Sequence, residues 1–543
     1  MRRCIAEGVA ALPMIVFLVA SPAAAQDEPG TDEGQPVSPQ AEDGNRPSPP
    51  VPEPLPPEES AGDSFGAGIG PEEAPTPPQE TPVERDEDTG APATGEARTP
   101  VADDVPELEE PEERTSHHFG FGSYGRLGVG TDFHGATPQQ PQVTAHGPRT
   151  VQSPYLELDL YYTIDPVGPY LVRTVTTLGF TDDLFHYTGD WSAMLALRNV
   201  YAEFTYRDML SIWVGSRSYR GDDIYLLDFW PLDNLNAVGG GIGFRRDRLE
   251  IAWHIGVNRL TDELTYQEAD VPDRLFGAER IVLMDRQRLV TSLGGSYRLW
   301  GPPGGPAIKL KVYLELHYLA SGTMRREEDN TTEHLPSDWG WTGGLQLGSW
   351  GWGERDSHAN LFLRFSQGLA AYGEMGIPFG VDEEKRTFPG ASELVVGLSV
   401  NYERGRFGIL GAGYVRRFTD ADPNIYDEDD YWELVLDVRP WIVVFGPIQL
   451  ALDLSYQQRF PYGMSPSALE LLDPGILQVA PMIVFAPLGP GSYVRPQIRL
   501  VYRMAYLNEG ALDTYAFEDP RRYDEVTHYV GLQVEWWYNS SYR

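Results

Sequence analysis

A single cysteine in 543 residues rules out a disulfide framework. It is Cys4, inside an N-terminal leader, so the processed chain carries no thiol and must hold together in an oxidising compartment without cross-links. Basic charge is scarce as well. Lys and Arg number 42 against 80 Asp and Glu, a net charge of -38, and nucleic-acid binding needs a basic footprint that this chain lacks. No uninterrupted apolar run reaches the ~18 residues that a spanning helix requires. There is no H-E-x-x-H or P-loop, no Rossmann fingerprint in a strand-helix setting, and no G-x-S-x-G beyond one Pro/Glu-rich stretch, and His117 and His118 have no partners at metal-ligand spacing. Neither an enzyme nor a cofactor is expected.

What is present falls into three regions. Residues 1–25 read as a secretory signal peptide: Arg2 and Arg3, the apolar "VAALPMIVFLVA", and an A-x-A site ending at Ala25. Residues 26–116, including "RPSPPVPEPLPPEES", are rich in Pro and Glu and almost free of aromatics. Such a stretch buries too little apolar surface to offset its chain entropy, and it reads as a disordered acidic segment on the periplasmic side. It supplies roughly half of the net charge, which is therefore no property of the folded part. Its "GDSFG" fits the bare G-x-S-x-G pattern but has no folded strand-turn-helix surroundings, so it reads as linker. Residues 117–543 are different in texture, with abundant Tyr, Trp, Phe and Gly and no internal linker.

Period-2 alternation recurs along 117–543 over about 8–11 residues at a time. In "YLELDLYY", Leu156, Leu158, Leu160 and Tyr162 oppose Tyr155, Glu157, Asp159 and Tyr161. "IQLALDLSYQQ" and "YVGLQVEWWY" divide the same way. In "YVRPQIRLVYRMAY" the polar face carries Tyr493, Arg495, Gln497, Arg499 and Arg503. A soluble sandwich also alternates, but its dry core would not tolerate three arginines from one strand. The inverse arrangement, apolar faces to lipid and polar faces to water, accommodates them. Backbone groups in lipid must all be paired, so such a sheet must close into a barrel. At roughly 22–25 residues per strand and connection, about 420 residues make about 17–19 strands. The expected fold is all-β, a transmembrane antiparallel barrel in outer-membrane lipid.

Four stretches then carry a family resemblance: "SYGRLGVG" (123–130), "SIWVGSRSYRGDDIYLLDFWPLDN" (211–234), "SYVRPQIRLVYRMAY" (492–506) and "VGLQVEWWY" (530–538), with weaker support from "YWELVLDVRPW" (431–441). In order and spacing they resemble the maltoporin (LamB-type) carbohydrate porins. The resemblance implies eighteen strands, a homotrimer, and facilitated diffusion of oligosaccharides along an aromatic slide beside a polar track. Sugar faces slide on the rings while charged groups exchange hydrogen bonds with the hydroxyls. By the resemblance the slide comprises Tyr124, Tyr155, Trp191, Tyr493 and Trp537, with one further position open among Trp350, Trp352 and Phe362. Arg126, Glu157 and Arg198, with Arg149 beside them, fall near track positions. Matched from Trp213, the segment after "LSIWVG" corresponds to the family's constriction loop and brings Asp223, Asp228 and Asp233 to acidic positions.

The chain also departs from the family. Trp230 stands where maltoporin has Tyr, Gly221 where the family has Arg (with Arg220 one residue earlier), and the Pro/Glu-rich extension has no heptads. These changes leave the sugar open, and a general porin for small polar or charged solutes is the alternative. "DADPNIYDEDD" (420–430) begins like a calcium loop but lacks the sixth-position Gly and the closing Glu, so it reads as a solvated acidic loop.

Overall fold

The structure is a computed structural model. It describes residues 115–541 apart from 136–138, 166–167, 182–193, 274–276, 303–304, 327–330, 375, 383 and 425–427. The signal peptide, the acidic segment and Trp191 lie outside the described residues.

The strands are β1 (Ser116–Thr131), β2 (Tyr155–Asp165), β3 (Tyr170–Thr181), β4 (Met194–Tyr206), β5 (Leu210–Arg220), β6 (Asn234–Arg246), β7 (Leu249–Asn258), β8 (Tyr266–Asp273), β9 (Gly277–Asp285), β10 (Arg288–Trp300) and β11 (Ala307–Leu319). They continue with β12 (Gly322–Arg325), β13 (Thr332–Leu335), β14 (Asp338–Trp350), β15 (His358–Gly368), β16 (Ser392–Arg404), β17 (Phe407–Thr419), β18 (Tyr431–Phe445), β19 (Ile448–Pro461), β20 (Gly475–Phe485), β21 (Gln497–Leu507) and β22 (Val526–Tyr538). Two short hairpins, β8–β9 and β12–β13, stand apart. The other 18 strands form one antiparallel meander, and β22 pairs with β1 from Ser123–Tyr538 to Thr131–Val530. That last ladder closes the sheet and leaves no edge, as a backbone in lipid demands. β1 opens at Ser116, one residue before the boundary read from composition.

The alternation sorts the side chains as lipid and water require. Along β21, Ile498, Leu500, Tyr502, Met504 and Tyr506 are exposed on the outside, while Gln497, Arg499 and Arg503 are buried inside. On β22, Leu532 points out, and Gln533 and Glu535 point in. Aromatic residues mark the rims. Trp300 and Trp352 stack at 5.4 Å near one end of the wall, and Tyr170 packs on Phe204 and Tyr206 at the same end. That end carries the shorter connections, such as 207–209, 247–248 and 446–447. The opposite end carries the longer ones, including 132–154, 221–233 and 369–391. One expectation needs correcting. Tyr493, Val494 and Arg495 do not lie on β21 but on the 486–496 connection before it, because Pro496 has no N–H to give to a ladder.

Candidate functional site

Residues 221–233 leave β5, cross the lumen and return to β6. The sequence explains why they do not project outward. Ile224, Tyr225, Leu226, Leu227, Phe229 and Leu232 are all buried, 5% exposed or less. They pack on an apolar patch of the inner wall formed by Tyr313 (β11), Phe362 (β15), Val395 (β16), Tyr414 (β17) and Val435 (β18). The inner wall thus offers an apolar landing site here, and the loop fills it. A single 3-10 turn, Tyr225–Leu227, ends at Asp228 in the left-handed conformation (φ 51°), and Ile224 and Phe229 pair across it. Gly344 and Gly397 leave room for the loop: a Cβ at either would sit 2.3 Å from Leu232 Cδ2 or 2.9 Å from Ile224 Cδ1.

Charged anchors hold the rim of the loop. Asp228 pairs with Arg149 at 2.7 Å and with Arg126 at 3.6 Å. Asp222 pairs with Lys309 at 2.5 Å, and Asp233 pairs with Lys311. The Tyr225 hydroxyl donates to Glu535 Oε2 at 2.9 Å, and the same oxygen receives Arg495 at 2.8 Å and Arg499 at 2.7 Å. Glu535 therefore gathers a strand, a connection and the crossing loop at one carboxylate.

A second inward segment, within 132–154, clamps the loop from the long-connection side. Arg149 N–H donates to Leu226 O at 3.1 Å, and the His146 ring stacks on Phe229 at 3.9 Å and 15°. His146 N–H donates to the Tyr414 hydroxyl at 3.0 Å, and Ala145 N–H donates to Glu433. Desolvation against these neighbours, followed by the charge of Arg416, lowers the His146 pKa from 6.5 to about 4; Arg364 acts the same way, and Glu393 and Asp228 oppose it. The clamp prefers the neutral ring. The unfolded histidine takes up its proton first as pH falls, so this stabilisation is whole above about 6.5 and is lost between there and about 4. Single-channel recordings from pH 7 to 4.5 should show rising open-state noise as the clamp loosens. His146→Phe, which keeps the stack without the titration, should flatten that dependence; an equal rise in both proteins would contradict the role given to His146.

With this geometry in place, comparison with known proteins decides the family. The model of the LamB porin family, described as "LamB porin", matches residues 119–538. The chain belongs to the LamB porin family. It is an outer-membrane channel rather than an enzyme. A search of curated proteins finds no matching relative. Among solved structures, Acinetobacter baumannii OccAB4 is 8% identical, with 79% of this chain and 99% of that one covered and a TM-score of 0.39. Pseudomonas aeruginosa OpdO is 12% identical, with 78% and 97% covered and a TM-score of 0.38. Salmonella typhi OmpF in complex with daunomycin is 11% identical, with 78% and 97% covered and a TM-score of 0.34. Similarity at that level says nothing of what this LamB porin carries.

The residues expected at the slide and track of this LamB porin are brought together unevenly. Tyr124, Tyr155 and Trp537 gather around Trp230. Tyr493 packs on Tyr225 at 5.2 Å, and the Arg495 guanidinium lies over Trp537 at 4.1 Å. Tyr155, Tyr493 and Trp537 keep part of their surface open, but Tyr124 is 0% exposed, because the loop carries Trp230 over it. Trp230 is itself 7% exposed and capped by Arg220 at 4.0 Å. Glu157 is held by Arg198, which also donates to the Tyr155 hydroxyl at 3.1 Å. Asp223 lines two cavities on the short-connection side, of about 750 and 400 Å³. Asp233 is separated from this group and buried against β11. Of the three candidates for the sixth slide position, Phe362 is covered by the crossing loop, Trp352 is in the outer rim, and Trp350 lines the 750 Å³ cavity.

Sequence reading missed His146, Lys309 and Lys311. In "TPQQPQVTAHGPRT" the resemblance reaches Arg149 alone, and nothing local shows that His146 turns inward with it. The lysines of "AIKLKVYLELHY" are legible as an inward face by parity, but not as the partners of Asp222 and Asp233.

Proposed function

We propose that this LamB porin passes short oligosaccharides by facilitated diffusion. One observation carries the reading. Partly exposed aromatic side chains (Tyr155, Tyr493, Trp537) adjoin carboxylates that are each paired with one or two bases: Glu157 with Arg198, Asp228 with Arg126 and Arg149, Glu535 with Arg495 and Arg499. Such a lining is rich in hydrogen-bonding groups and leaves no carboxylate uncompensated, which suits a solute with apolar faces and a hydroxyl rim. In this reading Tyr124 backs the slide instead of touching the sugar, and Trp191 would come from a neighbouring subunit of a homotrimer. The shorter connections would face the periplasm, with residues 26–116 as a tether or spacer there.

A general porin for small polar solutes is favoured by one fact: the crossing loop interrupts the aromatic line at Tyr124. Planar-bilayer recordings separate the two. Millimolar linear glucose oligomers should block ion current in a dose-dependent way if the faces stack sugar. Conductance unaltered by any sugar would sink the carbohydrate reading and leave the general porin.

A further inference from the structure

Residues 539–541, which follow β22, do not leave the barrel wall; they turn into its mouth. Asn539 adopts a left-handed conformation (φ 44°), and the Tyr161 hydroxyl donates to its carbonyl oxygen at 2.8 Å. Asn539 Nδ2 donates to Phe121 O at 3.1 Å. Gly122 makes this path possible: a Cβ there would lie 2.0 Å from Asn539 O and 3.2 Å from Asp159 Cβ.

Ser541 then settles on three lumen-facing side chains, Asp159 on β2, Thr177 on β3 and Asn199 on β4, all 2% exposed or less. Its N–H donates to Asp159 Oδ2 at 2.8 Å and its hydroxyl to Oδ1 at 2.6 Å. The Thr177 hydroxyl donates to the same Oδ1 at 2.5 Å. Asn199 Nδ2 donates to Thr177 Oγ1 at 3.0 Å and to Ser541 Oγ at 3.3 Å, and its orientation is set by Ser218 N–H, which donates to Asn199 Oδ1 at 2.7 Å. Ser541 itself stays exposed to the lumen, where it lines the 400 Å³ cavity with Arg173, Tyr201, Arg217, Asp223 and Trp230.

Two adjacent donors bridging one carboxylate are what a pair of neighbouring sugar hydroxyls would present to Asp159. The aromatic ring of Tyr161 is its inward neighbour on the same strand, with Arg173 over that ring at 4.1 Å. Residues 539–541 are held by polar contacts to the wall, and a ligand that offers the same donors can replace them, so the contact is exchangeable. We infer that residues 539–541 form a displaceable stopper, and that Asp159, Thr177 and Asn199 are a hydroxyl-recognition site which Ser541 fills until a ligand with adjacent hydroxyls displaces it. The hydroxyl half rests on the carbohydrate reading; the stopper half does not.

The test compares the processed full chain with a variant ending at Tyr538 in planar bilayers. Loss of the stopper should raise single-channel conductance by about half or more. It should also lower the half-blocking concentration of linear glucose oligomers about threefold, since an intramolecular competitor has gone. Should the shortened chain fail to insert, Gly122→Ala in the full chain puts a Cβ in collision with Asn539 O but only in tight contact with Asp159 Cβ, and it should reproduce both changes. In Ser541→Cys, a bulky cationic thiol reagent added from the short-connection side should reduce conductance. Unchanged conductance in the shortened or Gly122→Ala channel, together with no effect of labelling, overturns the stopper. Raised conductance with the same sugar block overturns the hydroxyl site. Raised conductance with no sugar block in either protein overturns the carbohydrate reading and the hydroxyl site with it, and supports the stopper alone.

Discussion

Glu535→Ala should be among the most damaging single substitutions in the barrel, lowering stability by about 3–5 kcal/mol, the usual result of removing one partner from a buried ion pair. The carboxylate is 2% exposed and accepts from Arg495, Arg499 and Tyr225, with Tyr124 at 3.4 Å. Without it, two guanidiniums are left close together in a site that excludes water. The Tyr225 hydroxyl loses its acceptor, so the crossing loop should loosen as the barrel weakens. Glu535→Gln keeps an acceptor oxygen and should fall between the two. Urea unfolding of protein in lipid vesicles reads the stability, and single-channel noise reads the loop. A change of under about 1 kcal/mol for the alanine variant would mean that water reaches the arginines after all, as it does at exposed pairs.

The second large effect is expected at Trp230. Its ring fills the space between Tyr124, Tyr155 and Trp537, under the Arg220 guanidinium, and it lines the 400 Å³ cavity. Trp230→Ala removes that wedge but leaves the anchors Ile224, Leu226 and Phe229 in the apolar landing site. The loop should stay in place while the lumen widens and a face of Tyr124 opens. Ion conductance should rise about twofold or more. If the aromatic faces stack sugar, block by linear oligomers should tighten at the same time, because the slide would be continuous. Unchanged conductance would contradict the placement of the loop. A rise without any sugar block would favour the general porin.

These two residues also mark what was legible beforehand. Glu535 could be placed on the inner face from "YVGLQVEWWY" alone, because a strand between lipid and water writes its environment at period two. Its meeting with Tyr225 and Tyr124 could not, since those come from distant parts of the chain. Trp230 could be placed in a constriction loop by family resemblance. That its ring covers Tyr124, and so interrupts a slide that matching positions made look continuous, depends on how the loop crosses the lumen. His146 had no local signal at all, because a polar segment that folds inward onto a polar wall has the same composition as one that faces solvent.

The sequence by itself determined the barrel. Alternation, strand length and ionised inner faces are local properties, and lipid admits few structures that satisfy them. Only the tertiary structure decided how the lumen is filled: the loop seated on Val395, Tyr414 and Val435, the clamp at His146, and the turn of residues 539–541 onto Asp159. Each is a contact between segments far apart in the chain, and its energy depends on two surfaces meeting, which neither segment encodes alone.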